Sequence, residues 1–325
     1  MPPDVHTYFH ETIIPTIMDK HPDVASEMSL MVLGSAGLGI ADEASDLEAA
    51  VYLEDPLWKK QGGQLQLTLN ECLYRTCPYK MEGSVISVSP LSWLLDGHAK
   101  EFLERQEDLP WEKVSFEDLF TMQENLIVWD PHNLLHDLRE VTAPQRLPEW
   151  LWKKLLILKL KKLIYDDLGE LESVVKRGRS AEAHILLGLV LEDLFHTGFM
   201  INREYYPWRT HLRWAFERLP AVASDVLPHV DIALSAPDWH AKVVAIKEAT
   251  SLYKQYLSQR EIIPEIDILS SDLGEEFVWA ERLKAWGNPN WRDWIVRCKE
   301  RAVKSGYPAR EFWVWSLWGG KENEF

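Results

Sequence analysis

Cysteine is scarce. Three thiols, Cys72, Cys77 and Cys298, in 325 residues form no even disulfide framework and no paired zinc-ligand spacing. Basic residues are also short, 35 against 51 acidic ones, for a formal net charge of −16. A chain this acidic repels a polyanion, so nucleic acid is disfavoured as substrate and a small neutral or cationic molecule fits more easily. The first residues, Met1-Pro2-Pro3-Asp4, lack the basic region and apolar run of a signal peptide. Long apolar runs are missing as well: residues 151–163 are interrupted by Lys153, Lys154, Lys159, Lys161 and Lys162. No repeat or low-complexity segment stands out. The expectation is a soluble, cytoplasmic protein, monomeric or homodimeric, with no membrane partner.

Tryptophan is abundant, with 16 residues spread from Trp58 to Trp318. Its large apolar area and single N–H donor suit cores and flat binding surfaces alike. Hydrophobic residues make up 46% and charged ones 26%, as in an ordinary folded protein.

Residues 1–145 mix short strands with helices. Residues 29–33 are an apolar run ending at Gly34 and read as a buried strand. Residues 34–44 read as a loop with one helical turn, and 46–53 as a second strand closed by Glu54-Asp55-Pro56. Alternation at 64–69, the β-rich run 84–88 and the segment 126–129 read as further strands, with helices at 7–20 and 91–104. After Pro148 strand signals fade. Residues 150–176, 181–201, 208–218, 241–258, 274–286 and 291–305 all read as helical. These patterns give an α+β protein with a mixed-sheet domain over 1–145 and an all-α helical-bundle domain over 146–325.

The chemistry concentrates between residues 29 and 53. A buried strand ends at Gly34-Ser35, and the next begins Ser45-Asp46-Leu47-Glu48. Side chains alternate along a strand, so Asp46 and Glu48 share a face while Leu47 turns into the core. Two carboxylates about 7 Å apart can share hard divalent ions completed by phosphate oxygens. Gly34 leaves room for a triphosphate near the backbone, to which the Ser35 hydroxyl can donate.

This arrangement resembles the polymerase-beta-like nucleotidyltransferase superfamily, whose signature is Gly-Ser and, on the following strand, Asp-apolar-Asp or Glu. The Ser45-Asp46-Leu47-Glu48 version is similar to kanamycin nucleotidyltransferase and related small-molecule nucleotidyltransferases. The resemblance implies that Asp46 and Glu48 hold Mg2+ or Mn2+. It implies that Gly34, Ser35, Gly37 and Ser45 contact a nucleoside triphosphate, ATP by expectation, and that NMP passes to a small-molecule hydroxyl with release of pyrophosphate. Leu191-Glu192-Asp193-Leu194-Phe195 matches a helical segment of those enzymes whose first acid is the general base, which casts Glu192 in that role. His196, one turn on, could join Glu192 at a metal or hydrogen-bond it structurally. Asn202-Arg203-Glu204-Tyr205-Tyr206-Pro207-Trp208 is similar to a segment of uncharacterised bacterial nucleotidyltransferase-like proteins, and its aromatics either line a pocket or pack between helices.

One member of the pattern is missing. The superfamily places a third metal-binding acid on a later strand, where this sequence has Ser87. Glu82 or Glu71 takes that place, or fewer ligands suffice, or catalysis is weakened and the protein only binds nucleotide. Transfer to a protein or tRNA is the remaining alternative. The basic cluster Lys153, Lys154, Lys159 and Lys161 reads as a solvated helix face or as phosphate contacts.

Overall fold

The computed structural model describes residues 4–105 and 109–260, with positions 262, 287, 289–290, 293 and 296–297. The expected helix at 274–286, most of that at 291–305, and Trp313, Trp315 and Trp318 lie outside the described residues. The architecture is α+β. The chain divides into two compact units, Met1–Leu147 with Tyr205–His211, and Pro148–Glu204 with Leu212–Phe325.

The first unit is built on a four-stranded mixed sheet of β1 (Ser29–Leu33), β2 (Asp46–Leu53), β3 (Lys80–Pro90) and β4 (Leu126–Trp129), in the order β3-β2-β1-β4. β1 runs antiparallel to both neighbours, and β2 pairs in parallel with β3. A parallel pair needs a crossover, and the Asp55–Thr76 helix supplies it. Leu47, Ala49, Val51 and Leu53 face one side of the sheet, in a core shared with Phe9, Ile13 and Ile17 of the N-terminal helices.

Residues 64–69 are part of that crossover helix, not a strand. Leu65, Leu69 and Leu73, spaced by four, are buried in the same core, while Leu67 is exposed. The polar residues that create the apparent alternation have other work. Gln66 donates to the Ile86 carbonyl (2.7 Å) and accepts from the Val88 N–H (2.8 Å), and Trp58 donates to the Val88 carbonyl (3.1 Å). β3 is an edge strand, and these bonds occupy backbone groups that would otherwise invite another strand.

Asp130 ties β4 to the other end of β1. Its carboxylate accepts from the Ser29 hydroxyl (2.7 Å) and from the backbone N–H of Leu135 and His136 (3.0 Å each) at the start of the Leu134–Val141 helix. Arg139 of that helix donates to the Met122 and Asn125 carbonyls, satisfying the end of the Phe116–Glu124 helix.

The described elements of the second unit are all helical. The single helix expected at 150–176 is Glu149–Lys161, a π-helical turn at Lys162–Asp167, and Leu168–Lys176. The Ser180–Asn202 helix is buried in its second half, from Val190 to Ile201 apart from the half-buried Glu192, whereas Ile185 and Leu189 of its first half are exposed. Tyr253 donates to its Leu194 carbonyl (2.8 Å). This helix is long and apolar enough to cross a membrane by length and composition, but 67% of its most apolar stretch is buried inside the protein, as in a core helix. The Ala223–Ser235 helix, which carries Pro228 inside it, has no counterpart among the expected helices.

The basic cluster is neither a solvated face nor a free set of phosphate ligands. Lys154 and Lys161 are buried. Lys159 bonds Asp193 (3.1 Å), and Lys162 bonds both Asp193 and Asp167, the latter at 2.7 Å. Burial opposes the charged form of Asp193, but the hydrogen bond from Asp167 and the positive charges of Lys159 and Lys162 outweigh it and pull its carboxyl down to about 2. Asp167, pushed by burial and by Asp193, rises to about 6.

Candidate active site

The sheet face opposite the buried core carries Glu48 and Tyr52 from β2 and Ser89 from β3, because alternation sends them away from Leu47, Ala49 and Val51. These residues, with Met31, Leu33 and Gly34, line a cavity of about 520 Å³. Its walls come from Trp93–Leu95, from Asp118, Thr121 and Asn125 of the Phe116–Glu124 helix and its end, and from Pro207, Trp208, Thr210 and His211. All of these lie in the first unit.

Gly34 closes β1 in a left-handed conformation, φ +58°, and opens the single helical turn Gly34–Gly37. A β-carbon at Gly34 would lie 2.7 Å from Glu48 Oε2, so the Glu48 carboxylate rests over bare backbone. Gly37 is explained differently: it is buried, and a β-carbon would collide with the Val32 carbonyl and the Asn125 side chain. Ser35 and Gly37 are not among the cavity-lining residues.

Asp46 is half-buried at the start of β2 and does not line the cavity. Opposite it the β3 backbone bulges: Asp46 pairs with Lys80 and Glu48 with Val85, leaving the intervening residues looped out. Gly83, φ +92°, brings this loop against the Asp46 carboxylate, with no space for a side chain. Ser45 exchanges hydrogen bonds with Asp42, donating to its carboxylate and accepting from its N–H (2.9 Å each). That is a turn-forming role.

Ser87 pairs with Ala50 on the strand beside Asp46 and Glu48, and its hydroxyl donates to the Ala49 carbonyl (3.3 Å). Glu82 is exposed and bridges Lys80 (3.6 Å), and Glu71 is exposed on the crossover helix. Among the described residues no three His, Cys, Asp or Glu side chains are grouped to hold a metal.

Glu192 belongs to the second unit, half-buried in the middle of the Ser180–Asn202 helix between Leu191 and Asp193. His196, one turn along, is buried with Nδ1 3.4 Å from the Lys159 ammonium.

Three cavity groups escape sequence reasoning. His211 is held below its ordinary range by burial, against the opposing pull of the Glu48 charge. Asn125 is 4% exposed, and its Oδ1 has no hydrogen-bond partner among the described residues. Asp118 is pushed up to about 6, first by burial and then by the charge of Asp96, with which it shares a side-chain hydrogen bond. None has a local motif to mark it, since each reaches the cavity through tertiary structure. The 202–208 segment divides its aromatics: Tyr205 and Tyr206 pack on Phe116, with ring centroids 5.1 and 5.3 Å away, while Pro207 and Trp208 line the cavity.

The model of a domain of unknown function, DUF4037, matches residues 111–215, less than half of the chain. No curated protein matches the sequence. The structure is similar to the crystal structure of a nucleotidyltransferase-like protein from Exiguobacterium sibiricum 255-15, with 12% identity, 90% of this chain and 92% of that chain covered, and a TM-score of 0.41. A likeness of that degree fixes no activity.

Proposed function

We propose that the protein transfers a nucleoside monophosphate from a nucleoside triphosphate, ATP in the first instance, to a hydroxyl of a small molecule, releasing pyrophosphate. The observation that carries this reading is the Glu48 carboxylate resting over Gly34 beside a cavity large enough for a small ligand. A bare glycine lets phosphate oxygens approach the backbone, and an adjacent carboxylate is the hard donor a divalent ion requires.

Magnesium, or manganese in its place, supplies charge neutralisation on the triphosphate when bound. Asp46 and Glu48 are the residues that would hold it. Among the described residues no third carboxylate is grouped with them, and two carboxylates suit an ion that keeps water and phosphate oxygens in its shell. The net charge of −16 supports a small acceptor over a nucleic acid. Ser35, Gly37 and Ser45 remain proposed nucleotide contacts. For the acceptor proton there are two candidates, Glu192 by resemblance and Asp118 by its place in the cavity. Cytoplasmic location accompanies this reading.

A second reading is a nucleotide-binding protein with weakened turnover. Ser87 favours it, since the residue on β3 beside the two acids is a hydroxyl already donated to Ala49.

The test is calorimetric titration with MgATP and an assay of pyrophosphate release, with wild type and the Asp46→Ala, Glu48→Ala double variant. Magnesium-dependent binding that the double variant loses supports a nucleotide site, and release of pyrophosphate separates transfer from binding alone. Unchanged MgATP affinity in the double variant overturns the assignment.

A further inference from the structure

The Phe116–Glu124 helix begins with Ser115-Phe116-Glu117-Asp118, a Ser three residues ahead of an acid. In a reciprocal capping arrangement the serine hydroxyl accepts from the N–H three residues on, and the acid reaches back to the serine N–H. Half of that is present: Ser115 Oγ accepts from the Asp118 N–H (3.1 Å). The other half is not. The Ser115 N–H donates to Asp96 Oδ2 (2.9 Å). Asp96 has taken over the capping task, and Asp118 is one of the residues lining the cavity with Gly34, Glu48 and His211.

Asp96 reaches this position from a turn of unusual backbone. Leu95 and Asp96 both have positive φ, 55° and 53°. Such residues cost energy and persist where the surroundings hold them. The turn carries one acid beside another, next to a cavity, in a region where like charges repel.

We infer that Asp118 is the proton acceptor of the transfer reaction and that Asp96 is its positioning residue. This rests on the nucleotidyl-transfer reading. The acceptor hydroxyl oxygen forms a bond to the α-phosphorus, its proton passes to an Asp118 carboxylate oxygen, and the bond from α-phosphorus to the bridging oxygen breaks. Pyrophosphate leaves with that electron pair. The newly protonated Asp118 then hydrogen-bonds the Asp96 carboxylate, relieving the repulsion between the two acids, so proton uptake is favoured where it is needed. The proton afterwards returns to solvent.

The groups facing Asp118 are consistent with this. Asp96 and Glu117 are negative and raise it, while the Ser115 hydrogen bond lowers it. Tyr52 on β2 is held near 12 by burial and then by the Asp118 charge, so it stays a neutral neighbour. His211 shares the cavity, held low by burial. A carboxyl titrating near 6 is ionised at neutral pH yet basic enough to take a proton in the transition state.

The experiment uses the full chain, MgATP, and ethylene glycol at high concentration as the hydroxyl probe. Pyrophosphate release is followed against pH for wild type, Asp118→Asn and Asp96→Asn, with MgATP affinity measured by calorimetry on each. Wild type is expected to lose rate below about pH 6. Asp118→Asn should bind MgATP as before, fall about 10²-fold in kcat and lose that acid limb. Asp96→Asn, which keeps an acceptor for the Ser115 N–H, should move the limb to lower pH. A limb unchanged in Asp118→Asn, with MgATP bound, overturns the role of Asp118 alone. Absence of MgATP binding or of pyrophosphate release in wild type overturns the transfer reading and this inference with it.

Discussion

Glu48 Oε2 lies where a β-carbon on Gly34 would approach it to 2.7 Å. A side chain at Gly34 would therefore have to displace the Glu48 carboxylate, the free end of an exposed side chain. Gly34→Ala meets two penalties: a left-handed φ of +58°, costing about 1 kcal/mol, and displacement of the Glu48 carboxylate. The expected outcome is a small fall in melting temperature with a larger fall in MgATP affinity. Equal affinity for the two proteins in calorimetry would show that Glu48 does not face the phosphates.

The two acids differ in their surroundings, so their single variants should differ. Glu48 lines the cavity, whereas Asp46 is held against Gly83. Gly83→Ala pushes on the Asp46 carboxylate from a residue outside the cavity. It should weaken the dependence of MgATP binding on magnesium concentration without altering binding of metal-free ATP. Identical magnesium titrations for wild type and variant would remove Asp46 from the metal site.

Asp118 makes stability depend on pH in a defined direction. The native state holds its proton more tightly than the unfolded chain, whose carboxyl titrates near 3.8. The stability it contributes is therefore full below about 3.8 and lost as pH rises through about 6. Asp118→Asn removes that loss. Thermal melts should show the variant gaining on wild type at pH 8, by about 1 kcal/mol after allowance for partial exposure, with the gain shrinking towards pH 4. A gain independent of pH would refute the like-charge explanation.

Asp193 is the centre of the buried charge network in the helical unit, and removing it leaves Lys159 and Lys162 without that counter-charge. Asp193→Leu should destabilise by about 3 kcal/mol. Its carboxyl is lowered to about 2, so the stability it provides is present above about 3.8 and lost as pH falls through about 2. Chemical denaturation at pH 7 measures the first effect. A loss below about 0.5 kcal/mol, the range of an ordinary surface change, would mean that the network contributes nothing.

Asp130 accepts from Ser29 and from two helix N–H groups with a fully buried side chain. Asp130→Ala should cost about 2 kcal/mol by leaving these donors unmet, read as a shift in denaturation midpoint. Asp130→Asn should recover part of it.

Much of the first unit was legible because its strands declare themselves locally. Residues 29–33, 46–53 and 126–129 are short apolar or alternating runs bounded by Gly, Pro or Asp, and the observed β1, β2 and β4 have those limits. Part of the crossover helix reads as a strand because its polar residues fall at even spacing, and only the sheet edge explains why Gln66 sits there. Pro228 hid the Ala223–Ser235 helix, since proline argues against a helix interior. Of the candidate site, Gly34 and Glu48 meet in space as adjacent strand ends allow. The walls are invisible in the sequence: Asp118 and Asn125 come from one helix and its end, His211 from far along the chain, and no local signal marks them for one cavity.

The segment Tyr205–His211 is synthesised after the Ser180–Asn202 helix but belongs to the unit that begins at the N-terminus. Phe116 thus waits for Tyr205 and Tyr206, and the cavity waits for Trp208 and His211. On the ribosome, the N-terminal unit cannot close when residue 147 emerges, as a contiguous domain would. In recombination, too, a single crossover near Pro148 would pair one parent's sheet with the other's cavity wall. The interlaced order of the chain makes the two units one heritable block.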